Sequence, residues 1–323
     1  MKPFKHVDAK SINEAVSLYK EGKGKAKVMA GGTDLLGVLK DRVLPTYPET
    51  VINLKTIPDL AYINEDSGGL KIGVLTKLRD VANSDVVKGK YKALADAALS
   101  VSSPHIRDMG TIGGNICQDV RCWYYRTSPW IGAPFICMRK GGKVCYALTG
   151  ENRYHSIFGG PEGCYAVYPS DTAPALVALG AKFKTTKRTV EAKDFFHAIT
   201  GTVLEPDEIL TEIQVPTPAE GTTSSYTKWG IRRALDFAIV SVTCVITKQD
   251  KVCKDARIVL GGVAPIPWKA TAAEKALVGK AISESSAKAS ATAALADAKP
   301  LKYNKYKVPV ARTIVKRAIL ANR

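Results

Sequence analysis

Apolar and polar positions follow different rhythms along the 323 residues, and each rhythm predicts a different element. Near the start, Ala15, Val16, Leu18 and Tyr19 recur at the spacing of one face of an amphipathic helix. Ser11 and Glu14 stand at capping-box spacing before this run, and Gly22 and Gly24 follow it, so both helix ends are marked. Residues 27–30 then read as a short strand, Gly31-Gly32 as a turn, residues 33–40 as a helix and residues 51–54 as a buried strand. A second group comprises a strand at 70–74, helices at 78–82 and 91–99, and strands at 181–185, 189–190 and 213–215. Residues 216–223 are polar and turn-rich and form the best linker. Beyond them lie apolar runs at 238–246 and 256–260, Ala-rich helices from 271 to 298 and a final apolar-and-basic helix. The last third is therefore expected to be a sheet covered by helices.

These rhythms break down between Cys117 and Cys164, a stretch that holds five of the seven cysteines. A chain of this length, 46% hydrophobic and 24% charged, is expected to fold as two or three soluble globular domains. No apolar run is long enough to span a bilayer, and the first residues lack the core of a signal peptide. An odd cysteine count outside a small secreted scaffold favours reduced thiols, so a cytoplasmic location is expected. The net charge is +17, and residues 221–323 carry most of it, with 19 Lys/Arg against 6 Asp/Glu. Few aromatics accompany these cations and no nucleic-acid motif is present, so the charge reads as a solvated face or a dock for an acidic partner subunit, not as a nucleic-acid site.

Two glycine runs carry candidate chemistry. Ala30-Gly31-Gly32-Thr33-Asp34-Leu35 and Thr111-Ile112-Gly113-Gly114-Asn115 lack Rossmann and Walker spacing. Their missing Cβ atoms would nevertheless let peptide N–H groups approach phosphate oxygens. The cysteines are the stronger signal, since four thiolates suit a 4Fe-4S cluster and also suit zinc. No CxxC pair occurs, and the wide spacing favours iron–sulfur over zinc. Cys244 and Cys253, set among apolar residues, read as buried core. Arg121, Arg126, Arg139, Lys140, Lys143 and Arg153 crowd the cysteine segment and would stabilise a negatively charged cluster. His105 and His155 read as structural, and no Ser-His-Asp, paired-carboxylate or HExxH pattern supports hydrolysis. A zinc-stabilised binding module is the rival reading from a different class.

Together these motifs resemble the FAD-binding subunit, often called subunit M, of molybdenum hydroxylases of the xanthine dehydrogenase type, over essentially the whole chain. The two glycine runs resemble that family's FAD pyrophosphate loops. Residues 169–176 are similar to the segment whose aspartate, here Asp171, contacts the flavin nucleotide, and Leu210 and Lys228 occupy flavin-contacting positions. Leu260-Gly261-Gly262-Val263-Ala264-Pro265 resembles the C-terminal domain signature. Most members pass almost directly from the second loop to the Ser-Asp segment, whereas this chain inserts residues 119–168. That insertion is similar to the one that carries a 4Fe-4S cluster in the 4-hydroxybenzoyl-CoA reductase beta subunit and in a bacterial aldehyde oxidoreductase flavin subunit. The resemblance makes Cys122, Cys137, Cys145 and Cys164 the ligands and leaves Cys117 to the flavin loop.

The fold implied is α+β: a vanillyl-alcohol-oxidase-type, PCMH-like FAD-binding domain of two α/β subdomains, residues 1–56 and 57–218, then a helix-covered sheet at 222–323. The function implied is that of an oxidoreductase subunit with no catalytic residue toward the organic substrate. It would pass electrons through FAD and 4Fe-4S between a 2Fe-2S small subunit, which serves a molybdopterin-binding large subunit, and ferredoxin or NAD. Oxidation of an aldehyde or N-heterocycle is the main expectation, and reductive dehydroxylation of an aromatic thioester, driven by ferredoxin, is the alternative.

Overall fold

The computed structural model describes residues 1–128, 132, 135–232 and 234–323. It begins with a small parallel sheet in which Thr50–Asn53 lies between Lys5–Asp8 and Ala26–Met29. Strands running the same way in one sheet need a crossover, and the helix Ile12–Glu21 connects the two outer strands. Ser11 Oγ accepts from the Glu14 amide (3.1 Å), as the sequence predicts. The reciprocal bond is shifted by one residue, because Glu14 Oε2 accepts from Lys10 N (2.7 Å) and not from Ser11 N.

The second unit is a five-stranded antiparallel sheet in the order Ile63–Asp66, Gly69–Gly73, Leu210–Val215, Lys182–Thr185, Thr189–Glu191. Its register places Ile213 opposite Ile72 on one side and Phe183 on the other, and all three are fully buried. Each such side chain contributes about 1.5–3 kcal/mol through removal from water. The helices Leu78–Asn83, Lys92–Leu99 and Thr172–Ala178 join the same core, with Tyr91 enclosed at its centre.

The last unit is a four-stranded antiparallel sheet, Thr222–Trp229, Val240–Gln249, Val252–Gly261 and Trp268–Lys269. Helices Thr271–Leu277 and Lys307–Leu320 pack on it, helix Glu284–Ala294 packs against both of them, and helices Lys92–Leu99 and Thr172–Ala178 also meet the sheet. Burial from both sides explains why residues 240–246 are all buried and show no alternation. The predicted linker is shorter than its composition implies, since Thr222 and Thr223 already pair with Thr247 and Ile246. Strand Thr222–Trp229 escaped the sequence reading because its Thr, Ser, Tyr and Lys side chains make no apolar pattern.

Between these units the cysteine segment has little regular structure: the helix Trp123–Arg126 and short 3-10 turns at Met138–Lys140 and Pro161–Gly163. Residues 129–131, 133 and 134 of the expected insertion lie outside the described residues. A small apolar cluster of Val38, Val43, Val120, Tyr125, Cys137, Cys164 and Ala166 ties this segment to the first unit. Among the described residues no helix is long and apolar enough to cross a membrane.

Candidate functional site

The first glycine loop leaves strand Ala26–Met29 and enters helix Leu35–Lys40, with Gly32 at φ +74°. The second follows helix Pro104–Met109 and enters helix Ile112–Ile116, where the Thr111 side chain accepts from the Gly114 amide (3.1 Å). Glycine is required at Gly31 by how closely the two loops approach each other, and at Gly113 by the close approach of Val74. A Cβ on Gly31 would fall 2.0 Å from the Met109 carbonyl oxygen, and one on Gly113 would fall 2.7 Å from Val74 Cβ.

Together the loops wall a cavity of about 710 Å3. From the first loop Ala30, Gly31, Gly32, Thr33, Asp34 and Leu35 line it; from the second, Thr111, Gly113, Gly114 and Asn115 do. Asp171 and Leu210 line it as well. Ile112 and Lys228 do not line the cavity. Ile112 is fully buried, while Lys228 Nζ donates to Asp171 Oδ2 (2.7 Å) and to the Ser100 carbonyl (3.0 Å). Asp171 also accepts from Tyr226 OH (2.6 Å); burial raises its pKa even against these partners. Asn115 Oδ1 accepts from Ser170 Oγ (2.6 Å) and Thr172 Oγ1 (2.8 Å), locking the second loop to the Ser-Asp segment.

A cavity floored by bare glycine backbone, with buried polar side chains at one end, fits an extended, phosphate-bearing cofactor. Cys117 belongs to this cavity and not to the other cysteines. Cys117 is exposed, opening onto the cavity, and desolvation by the surrounding protein pushes its thiol pKa up to about 12.

Of the cations predicted to surround a cluster, Arg139 also lies against Cys164, whereas Arg121, Arg126 and Arg153 are paired with carboxylates. Arg121 and Arg126 each place a guanidinium nitrogen 2.8 Å from Asp34 Oδ1, and Asp34 Oδ2 accepts from the Asp119 amide (2.8 Å). Asp119 in turn binds Arg139 (3.0 Å) and Tyr125 OH (2.5 Å), while Arg153 pairs with Glu151 (2.8 Å). The sequence reading missed Asp119 because a lone aspartate in an irregular segment has no spacing signature. These ion pairs bind the cysteine segment directly to the first glycine loop.

Cys137 and Cys164 are buried, and Cys122 packs against the cluster that contains both. Cys145 and Cys164 lie close enough to Cys122 to raise its pKa, Cys145 likewise acts on Cys164, and Lys140 responds to both Cys137 and Cys122. Burial is the larger effect, holding Cys122 up to about 12 and Cys164 above its ordinary value. Four thiols thus converge on one region. Among the described residues no three Cys, His, Asp or Glu side chains close on a single ion. His155 is 3% exposed, its Nε2 lies 3.2 Å from Cys122 Sγ, and burial lowers its pKa to about 4. His105 is exposed, and Cys244 and Cys253 lie in the C-terminal core.

Comparison with known proteins decides the family. Residues 2–218 match the FAD binding domain in molybdopterin dehydrogenase, and residues 225–321 match the CO dehydrogenase flavoprotein C-terminal domain. The chain belongs to the FAD-binding medium subunits of the molybdenum hydroxylases. Among similar medium subunits is the carbon monoxide dehydrogenase medium chain of Hydrogenophaga pseudoflava, 31% identical over 98% of this chain and 96% of its own. The aldehyde oxidoreductase FAD-binding subunit PaoB of Escherichia coli (strain K12) is 32% identical over 86% of each chain. A solved carbon monoxide dehydrogenase from Hydrogenophaga pseudoflava superposes with a TM-score of 0.78 at 30% identity, covering 100% of this chain and 99% of that one. The PCMH-type FAD domain and C-terminal sheet expected from sequence are therefore the architecture of this medium subunit, an oxidoreductase component.

Proposed function

We propose that this medium subunit holds FAD in the two-loop cavity and a 4Fe-4S cluster on Cys122, Cys137, Cys145 and Cys164. In this reading it passes electrons between a 2Fe-2S small subunit and an external carrier, ferredoxin or NAD, while a molybdopterin-binding large subunit oxidises an aldehyde. The observation that carries the reading is the convergence of four thiols beside a glycine-walled cavity, joined to it through Asp34, Arg121 and Arg126. Flavin suits such a junction because it exchanges one or two electrons. The aldehyde class is supported by the likeness to a subunit named for aldehyde oxidation.

In the same reading the chain's own residues bind and orient. The amides of residues 31–34 and 111–115 would face the pyrophosphate, and Leu210 would pack against the flavin. Ile112 would support the second loop from behind, and Lys228 would hold Asp171 ionised and aimed into the cavity. Residues 1–56 and 57–218 would be the two FAD subdomains, with the cluster segment at about 119–168, and 222–323 the C-terminal domain. Burial raises the pKa values of Cys122 and Cys164, so a cationic centre would have to drive their deprotonation.

Iron, zinc and flavin analysis of the purified complex tests this directly. About four iron and one FAD per chain are expected, with iron lost in Cys145→Ser and retained in Cys117→Ser. Zinc without iron, or equal iron in wild type and Cys145→Ser, would overturn the assignment.

A further inference from the structure

The three strands of the first sheet run the same way, so their carboxyl ends share one edge. The first glycine loop leaves that edge after Met29, and the chain reaches Lys55 from the same edge, two residues after Asn53. There Lys55 Nζ donates to the Ala30 carbonyl (3.0 Å) and to Asn53 Oδ1 (2.8 Å). Asn53 is itself fixed, being 7% exposed: its Oδ1 also accepts from the Lys55 amide (3.2 Å), and its Nδ2 donates to Asp8 Oδ1 (2.7 Å). A surface lysine ordinarily keeps its rotamer freedom. This one is folded back over Asn53 onto the loop.

Holding the Ala30 carbonyl also fixes the amide that follows it. The peptide unit is planar and trans, so the Ala30 C=O and the Gly31 N–H point in opposite directions. Ala30 and Gly31 line the cavity, and Lys55 does not. With the carbonyl drawn outward to Lys55, the Gly31 N–H is turned to the cavity side. Among the described residues, no acceptor meets the amides of Gly31, Gly32, Thr33 or Asp34. Successive backbone donors without protein partners form a concavity suited to an anion.

We infer that Lys55 is a positioning residue for the flavin cofactor: by holding the Ala30 carbonyl from outside, it aims the Gly31 N–H at the FAD pyrophosphate. The inference rests on FAD lying in the two-loop cavity and on no other part of the proposed function. Lys55 touches no cofactor itself and acts through the Ala30-Gly31 peptide alone. Its loss should therefore be felt by the phosphate-bearing part of the cofactor and not by the isoalloxazine ring.

The test is a titration of the flavin-stripped complex with FAD and, in competition, with ADP, which carries a pyrophosphate but no isoalloxazine. Lys55→Met removes the donor at similar length, and Lys55→Arg keeps one. Lys10→Met removes a cation near Asp8 whose side chain makes no bond to the loop. Lys55→Met should weaken FAD and ADP each about fivefold, with Lys55→Arg within about twofold of wild type and Lys10→Met unchanged. Wild-type FAD affinity in Lys55→Met would overturn the inference, as would a loss for FAD that ADP does not share or an equal loss in Lys10→Met. A second readout removes any effect of stability. In Lys55→Met saturated with FAD, the pyrophosphate 31P resonances should move while the flavin absorption spectrum stays as in wild type. Unmoved 31P resonances would reduce Lys55 to a structural contact. A wild-type complex that binds no FAD would instead overturn the two-loop site itself.

Discussion

Lys228 Nζ lies 2.7 Å from Asp171 Oδ2 with both side chains largely enclosed, 14% and 5% exposed. Tyr226, two residues before Lys228 on the same strand, completes the arrangement through its hydroxyl. The pair joins the C-terminal sheet to the segment that closes the cavity. Breaking a buried pair from one side leaves the other charge uncompensated, at a cost of about 3–5 kcal/mol. Lys228→Met and Asp171→Asn should each lower the urea-unfolding free energy by roughly 3 kcal/mol, and the double variant should lose clearly less than the sum. Additive losses in that double-mutant cycle would show that the two side chains act independently.

Gly31 and Gly37 lie six residues apart and answer the same substitution in opposite ways. Gly31→Ala puts a methyl group into the Met109 carbonyl and forces the two loops apart, whereas Gly37 faces open space within helix Leu35–Lys40. Gly31→Ala should weaken FAD binding at least about tenfold, the equivalent of about 1.4 kcal/mol. Gly37→Ala should keep full flavin content and gain about 0.5–1 kcal/mol of stability, since alanine restricts the unfolded chain. Flavin fluorescence titration and thermal melts of the two variants check both outcomes.

The pattern of the chain revealed the helix-covered sheet, the capped first helix and both glycine loops, because each depends on local spacing. It did not reveal why Gly31 must be glycine, since the clashing atom is Met109 O, far away in sequence. Nor did it show that Arg121 and Arg126 serve Asp34, because side chains 87 and 92 positions away from Asp34 meet only through the tertiary fold. Strand Thr222–Trp229 lacked an apolar rhythm because its pairing, not its side-chain pattern, defines it. The family resemblance filled some of these gaps by supplying Asp171, Leu210 and Lys228 as site positions. The tertiary fold turns Lys228 away from the cavity and onto Asp171.

Asp34 couples the cysteine segment to the flavin loop, so damage on one side should be felt on the other. Arg126 is 13% exposed and also donates to the Val120 and Asp119 carbonyls, so Arg126→Leu releases three contacts at once. Charge-assisted hydrogen bonds of this kind contribute about 1.5–3 kcal/mol each. The variant should be cleaved faster by protease between residues 119 and 168 and should bind FAD about tenfold more weakly. Unchanged cleavage alongside unchanged FAD affinity would separate the two regions energetically.

Lys307 is fully buried, and its ammonium donates to the His155 and Gly262 carbonyls. Among the described residues no carboxylate compensates it, and desolvation lowers its pKa from 10.5 to about 7. As pH falls from about 10.5, the unfolded chain takes up this proton first, and the folded chain follows only near pH 7. The unfolded state therefore binds more protons across that window, and stability rises with pH within it. Between pH 7 and pH 9 this residue should add about 2 kcal/mol to the unfolding free energy. Urea melts of wild type and Lys307→Met at both pH values isolate the effect, because every other titrating group is common to the two proteins. The wild type should gain about 2 kcal/mol more than the variant on going to pH 9, and equal gains would mean that Lys307 keeps an ordinary pKa.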